Sequence, residues 1–244
     1  MMSIPAADPQ ATAVVGAIQA GDVGALQDQL NANPELAQAR IIDGGGVART
    51  LLHVAADWPG HFPNGSQIVG ALIAAGAQVN ACVIHPDSKG SPETALHWAA
   101  SSDDVSVIDA LLDGGADIEA TGAVFTGGSA MSDAVVFAQW NAAQRLLERG
   151  AATTIWQAAA LGLLQRVQEF TALDPPPEDR DITNAFWHAC RSGQRSTAEF
   201  LLERGADLNW VGYDRRTPLN AAILSGNKDL VAWLHERGAK RARP

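Results

Sequence analysis

Cysteine is nearly absent from this chain of 244 residues: Cys82 and Cys190 stand 108 positions apart, too few for the disulfide framework of a secreted scaffold. They read as reduced, part-buried small residues, which points to an intracellular, cytoplasmic protein. Basic residues are also scarce. With 17 Lys and Arg against 27 Asp and Glu, the formal charge is −10 and the isoelectric point about 4.9. Phosphate backbones need clustered cations, so nucleic acid is not an expected partner. The one basic run, KRARP at 240–244, reads as a solvated end. Long apolar runs are missing too. The start, MMSIPAADPQ, has no Lys or Arg ahead of an apolar stretch, and the most apolar window, residues 68–84, is interrupted by Gln78 and Asn80. Neither a secretory leader nor a membrane span is expected. Nor is there a nucleophile elbow around Ser101 and Ser102, or a phosphate-loop pattern at Gly44–Gly46 or Gly127–Gly128. No catalytic residue, cofactor or metal is assigned from the sequence.

What the chain has is repetition. A phrase of apolar residue, Leu, two residues and Gly-Ala returns as LIAAGAQVN (72–80), LLDGGADIE (111–119), LLERGAATT (146–154), LLERGADLN (201–209) and LHERGAK (234–240). Upstream of these lie TLLHVAA (50–56), TALHWAA (94–100), SAMSDAV (129–135), TTIWQAA (153–159), NAFWHAC (184–190) and TPLNAAI (217–223). Self-similarity at this period marks a stacked array whose units bury their apolar faces only against neighbours.

The second phrase resembles the ankyrin signature T-P-L-H-x-A, most closely at 50–56, 94–100 and 217–219. The resemblance implies an all-α ankyrin-repeat solenoid of antiparallel helix pairs with short finger loops, in seven units if the degenerate stretch 13–36 is counted. The whole chain, 1–244, is read as one domain. Its parts are a degenerate first repeat and finger (1–49), central repeats (50–172), a Pro-rich connection (173–183) and C-terminal repeats (184–244). Thr at the phrase start is expected to cap the first helix, with Pro218 suited to a first helical turn. A Gly in left-handed conformation should end the second helix.

Spacing is uneven. From Thr50 to Thr94 is 44 residues, because DWPGHFPNG (57–65) stands between the two helices of its unit as a loop that Pro and Gly keep non-helical. From Ser129 to Thr153 is 24 residues, which leaves no room for a finger after Gly150.

Several residues have both a structural and a functional reading. His53 and His97 stand at the His of the signature, where the resemblance implies ring hydrogen bonds to backbone within and between units. Trp156 and Trp187 are aligned with the same slot, as packing or as an aromatic wall. Asp103 and Asp104 precede a second helix and suit capping. Asp133 occupies the slot of Trp98, where a carboxylate needs a polar partner or a cavity.

The resemblance implies a concave groove that receives a partner protein or peptide. Its contacts are expected at Asp57, Trp58, Ser101, Ser102, Phe137 and Arg191, with Trp210 and Tyr213 from the last finger. Exposed Trp, Tyr and Arg are the types enriched at the energetic centres of interfaces. The leading expectation is therefore a noncatalytic binding scaffold. The alternative is a small-ligand or metal-binding protein, or an enzyme, whose pocket unites Asp57, Trp58, His61 and Phe62 of the insert with His97, Trp98, Asp103 and Asp133.

Overall fold

Thr50, Thr94, Thr154 and Thr217 lie in extended backbone immediately before helices, where a side-chain oxygen can satisfy an amide that has no acceptor within the helix. The computed structural model describes residues 2–86 and 90–242, and those residues form seven helix pairs. They divide into two compact units, Met1–Ala151 and Ala152–Pro244.

Unit 1 holds four pairs: α1 (Pro9–Ala20) with α2 (Val23–Ala32), α3 (Leu51–Ala56) with α4 (Gly65–Ala74), α5 (Ala95–Ser101) with α6 (Val105–Asp113), and α7 (Ala130–Val136) with α8 (Trp140–Glu148). First helices pack on first helices along the row, and second helices on second helices. The first helices approach closely because Ala55, Ala56, Ala99, Ala100 and Ala134 are small and buried. Leu52, Leu72, Leu96, Ile108 and Leu111 fill the space between rows, each worth roughly 1.5–3 kcal/mol of burial. The Gly of the Gly-Ala phrase ends the second helix in left-handed conformation, as at Gly115 (φ 91°). Arg145 and Arg149 of α8 reach back to Asp109 of α6 at 2.7 Å each.

Unit 2 holds α9 (Ile155–Ala160) with α10 (Leu164–Thr171), α11 (Asp179–Arg191) with α12 (Arg195–Glu203), and α13 (Pro218–Ser225) with α14 (Lys228–Glu236). Its core gathers Phe186, Leu201, Leu219, Trp233 and Leu234. The division between units falls in the stretch between Glu148 and Ile155, where the short spacing leaves no finger.

Three features depart from the sequence reading. A small sheet, β1 (Ser3–Pro5), β2 (Arg40–Ile42) and β3 (Ala48–Thr50), builds the first finger, with β1 parallel to β2 and β2 antiparallel to β3. Buried Arg40 ties it to the next finger through the Cys82 carbonyl at 2.8 Å. Second, α11 begins at Asp179, inside the span read as connection; Asp179 and Asp181 in its first turn favour the positive end of the helix dipole. Third, the helix start at Thr154 forms its capping box with Gln157, so Gln157, not Trp156, does the work of the signature His in that unit.

Candidate functional site

Residues that look chemical in the sequence often prove to join the repeats. Nδ1 of His53 accepts the Thr50 amide at 3.3 Å and lies 2.8 Å from its hydroxyl, while Nε2 lies 3.1 Å from the Glu93 carbonyl. An Nδ1 that accepts an amide carries no proton, so Nε2–H donates to that carbonyl. His97 repeats the arrangement with Thr94 and, through Nε2 at 3.2 Å, the Gly128 carbonyl. In unit 2 the Trp187 indole N–H donates to the Arg216 carbonyl at 2.8 Å. In each case the acceptor is the residue just before the next first-helix cap. Burial, abetted by the charges of Arg40 and Arg49, holds His53 down to about 4 and keeps its ring neutral.

The paired aspartates cap two different helices. Asp104 accepts the Val107 amide at the start of its own α6. Asp103 reaches the following pair, accepting the Ala142 amide and the Asn141 side chain at 2.7 Å each.

The 57–64 loop is braced on both sides. His61 donates its amide to Asp104 Oδ2 at 2.7 Å, and Asn64 Nδ2 donates to the Gly21 carbonyl at 2.9 Å. Gly60 (φ 74°) passes so close to Ser102 that a Cβ there would meet the serine Cβ at 2.8 Å. Asp57 pairs with Arg49 at 2.6 Å. Its carboxyl is raised by burial, against the pull of Arg49. Phe62 is half-buried and accepts the Gly65 amide at its carbonyl. Trp58 is left 76% exposed. Ser101 and Ser102 use their hydroxyls on the carbonyls of Trp98 and Ala56.

One group is not absorbed into structure in this way. Asp133 on α7 is 1% exposed, and its Oδ2 has no hydrogen-bond partner. Burial, then the nearby Glu93 charge, push it up to about 7, while the Val124 amide of the third finger opposes the shift. Glu93 is also raised by burial, and its carboxylate accepts from the Trp98 indole. The Trp98 ring meets His53 edge-on at 4.9 Å. One turn beyond Asp133, Phe137 packs on Phe125 of the same finger, centroids 5.8 Å apart, with exposures of 41% and 71%. Of the residues expected to form a ligand pocket, Trp98 and Asp133 are thus linked through Glu93; His97 and Asp103 are occupied by backbone contacts. Among the described residues no group of three or more His, Cys, Asp or Glu side chains is placed to hold a metal, and no helix is long and apolar enough to cross a membrane.

Glu93, Arg49 and Phe125 were not singled out by the sequence. An apolar residue within the Gly-rich finger TGAVFTGG was the available signal for Phe125; Glu93 gave none, since its role depends on two neighbouring repeats.

In unit 2, Trp187, Trp210 and Tyr213 form a T-shaped ladder with centroid spacings of 6.5 and 5.7 Å, ending at Tyr213, 81% exposed. Arg191 lies 5.9 Å from the Trp187 ring. Trp156 packs at 4.7 Å on His188, which burial and then Arg191 lower to about 3.

Two family models match. One, described as "Ankyrin repeats (3 copies)", covers residues 155–242, and another, "Ankyrin repeat", covers 93–123. This is an ankyrin-repeat protein. An ankyrin-repeat protein of Acanthamoeba polyphaga mimivirus is 35% identical over 86 residues, which is 35% of this chain and 13% of the viral protein. Two ADP-ribosylation factor GTPase-activating proteins of Arabidopsis thaliana are each 46% identical over 52 residues, 21% of this chain and 7% of theirs. The ankyrin-repeat chain thus matches only a small part of the length of these relatives. The acidic balance of this ankyrin-repeat protein is confined to one unit: residues 1–151 carry 16 Asp and Glu against five Lys and Arg, and residues 152–244 carry 11 against 12.

Proposed function

We propose that the protein is a noncatalytic scaffold that recognises a partner protein or peptide along the finger side of its repeats, in a cytoplasmic setting. The observation that carries this reading is where exposed large apolar side chains stand. Of ten among the described residues, nine lie in fingers, in the 57–64 loop or at the C-terminal ends of first helices: Trp58, Ile84, Val124, Phe125, Phe137, Val211, Tyr213, Ile223 and Leu224. The tenth, Leu173, follows α10. The exposed faces of the second helices carry none, so within each unit apolar exposure is confined to the fingers and the first helices with the loop that follows them, as a recognition surface requires.

The braced insert supports the same reading, since it presents Trp58 on a rigid mount. Rigid aromatic anchors lose little conformational freedom on binding. The GTPase-activating activity named for the Arabidopsis proteins is not extended to this chain, because the match covers 7% of each. The test begins with proximity labelling to identify the partner, followed by affinity measurements on Trp58→Ala, Phe137→Ala and Tyr213→Ala. At least one should weaken binding by about 2 kcal/mol or more while thermal stability is kept. Unaltered affinity in all three would remove the finger side as the interface.

A further inference from the structure

Resting on the partner-binding reading, we propose that the acidic pair Glu93 and Asp133, beside Trp98, receives a lysine or arginine side chain from an extended basic segment of the partner, whose apolar side chain two residues along seats on Phe125 and Phe137.

An orphaned acceptor marks the site. Buried carboxylate oxygens are normally hydrogen-bonded, and Oδ2 of Asp133 is buried without a donor. Glu93 adds a second carboxylate, which accepts from the neutral Trp98 indole. None of the ion pairs among the described residues includes either acid. An ammonium brings three donors and a guanidinium five, with the compensating charge. The Trp98 ring adds an aromatic surface of the kind that attracts cations.

Charge in the surrounding unit favours a cation. Sixteen acids against five bases in residues 1–151 draw a basic segment and repel an acidic one. Many of those acids are already occupied, Asp104 and Asp103 in capping and Asp57 and Asp109 in ion pairs. Glu93, which faces the Trp98 indole and the His85 ring, and Asp133 have no Lys or Arg partner among the described residues.

The spacing of the two subsites suits an extended segment. Phe137, which caps the C-terminal end of α7, stands one turn after Asp133, its amide donating to the Asp133 carbonyl at 2.9 Å. Val124 and Phe125 of the finger lie opposite them in the same order. A helical turn rises about 5.4 Å, and alternate side chains of an extended chain stand about 6.6 Å apart. A segment reading basic, any residue, apolar therefore matches the two subsites. Entry of the cation favours the Asp133 carboxylate, and whatever proton the carboxyl holds leaves to solvent.

The test uses the full chain and calorimetric titration with the capped peptide GKGFGKGFG, with norleucine replacing Lys or Gly replacing Phe as controls. The parent peptide should bind. Either replacement, Glu93→Gln or Asp133→Asn should each weaken binding about tenfold, the effect of losing one charge-assisted contact. Asp113→Asn, on the second-helix face, should leave it unchanged. Titration near pH 7 in buffers of different ionisation enthalpy should show proton release that vanishes in Asp133→Asn. Far-UV dichroism and melting confirm that each variant is folded. Binding that ignores Glu93→Gln and Asp133→Asn, or that Asp113→Asn weakens equally, overturns the cation site. If Phe137→Ala alone then abolishes binding, the finger-side reading survives without it. If neither Phe137→Ala nor the carboxylate variants change binding of the peptide or of an identified partner, both readings fail.

Discussion

Replacing Asp133 by Asn keeps the shape of the side chain and its carbonyl acceptor for the Val124 amide, but removes the capacity to ionise. The wild-type carboxyl titrates at about 7 in the folded chain against an ordinary value of 3.8. A raised folded pKa means that the folded state holds the proton more tightly than the unfolded one. The associated stability is fully present below pH 3.8 and is lost as pH rises through about 7. At about 1.4 kcal/mol for each tenfold gain in proton affinity, the whole loss is ~4 kcal/mol. Of this, about 2.5 kcal/mol falls between pH 5 and 8. Asp133→Asn escapes that loss, so it should gain on the wild type as pH increases. Urea denaturation of both proteins across pH 5 to 8 measures the difference directly; titration of groups not coupled to Asp133 cancels in the comparison, and Glu93, which is coupled to it, is checked with the same pair in a Glu93→Gln background. A stability difference that stays constant across the range would refute the assignment of a buried, weakly partnered acid at this position.

Burial of neutral imidazole gives the opposite pH dependence: His53 is lowered to about 4 and His188 to about 3, so their contributions are present above about pH 6.5 and lost on acidification toward those values. His53→Gln should flatten the acid limb of a stability profile measured by denaturant titration. Trp187→Phe keeps an aromatic side chain but removes the indole donor to the Arg216 carbonyl, which still accepts the Gly212 amide; the lost hydrogen bond should cost about 1 kcal/mol in the same assay. Asp103→Ala removes the cap of α8 and should cost about 1 kcal/mol; Asp103→Asn should recover much of it.

The fold was legible because the repeat is written locally. The cap Thr50, the ring of His53, the small Ala55 and Ala56 and the left-handed Gly115 act within one unit or its immediate neighbour, and each is visible at a fixed offset. The candidate site was only half legible. Trp58 and Phe137 stand where repeat position puts exposed residues, and the oddity of Asp133 in an apolar slot was visible in one line of sequence. Glu93 was hidden because nothing within its own repeat explains it; it matters only when Trp98 and Asp133 of the two repeats that follow are brought beside it. The 57–65 insert misled for the opposite reason. Its His and Asp resemble ligands in composition, yet the loop's amide at His61 and the carboxylate of Asp104 close on each other across 43 residues, a contact that no local pattern announces. The start of α11 was misplaced because three prolines masked the favourable acids just after them.

The ring-to-carbonyl links from His53 to Glu93, His97 to Gly128 and Trp187 to Arg216 bear on how this chain can be recombined. Each link closes a segment that ends one residue before the next first-helix cap, so a cut at that point moves ring and acceptor together when a repeat is exchanged or duplicated. A cut after the second helix, before the finger begins, separates them and leaves the ring dependent on whatever carbonyl the incoming segment supplies. Other bonds do cross the favoured seam: the one from Asp103 ends on the main-chain amide of Ala142, a group that any helix start presents whatever its side chain, while those from Arg145 and Arg149 to Asp109 need their own partner side chain. Shortening or lengthening of the array should therefore follow the seam just ahead of each cap, which keeps every ring with its acceptor, and a cut between α6 and α8 must also restore the partners of Asp109.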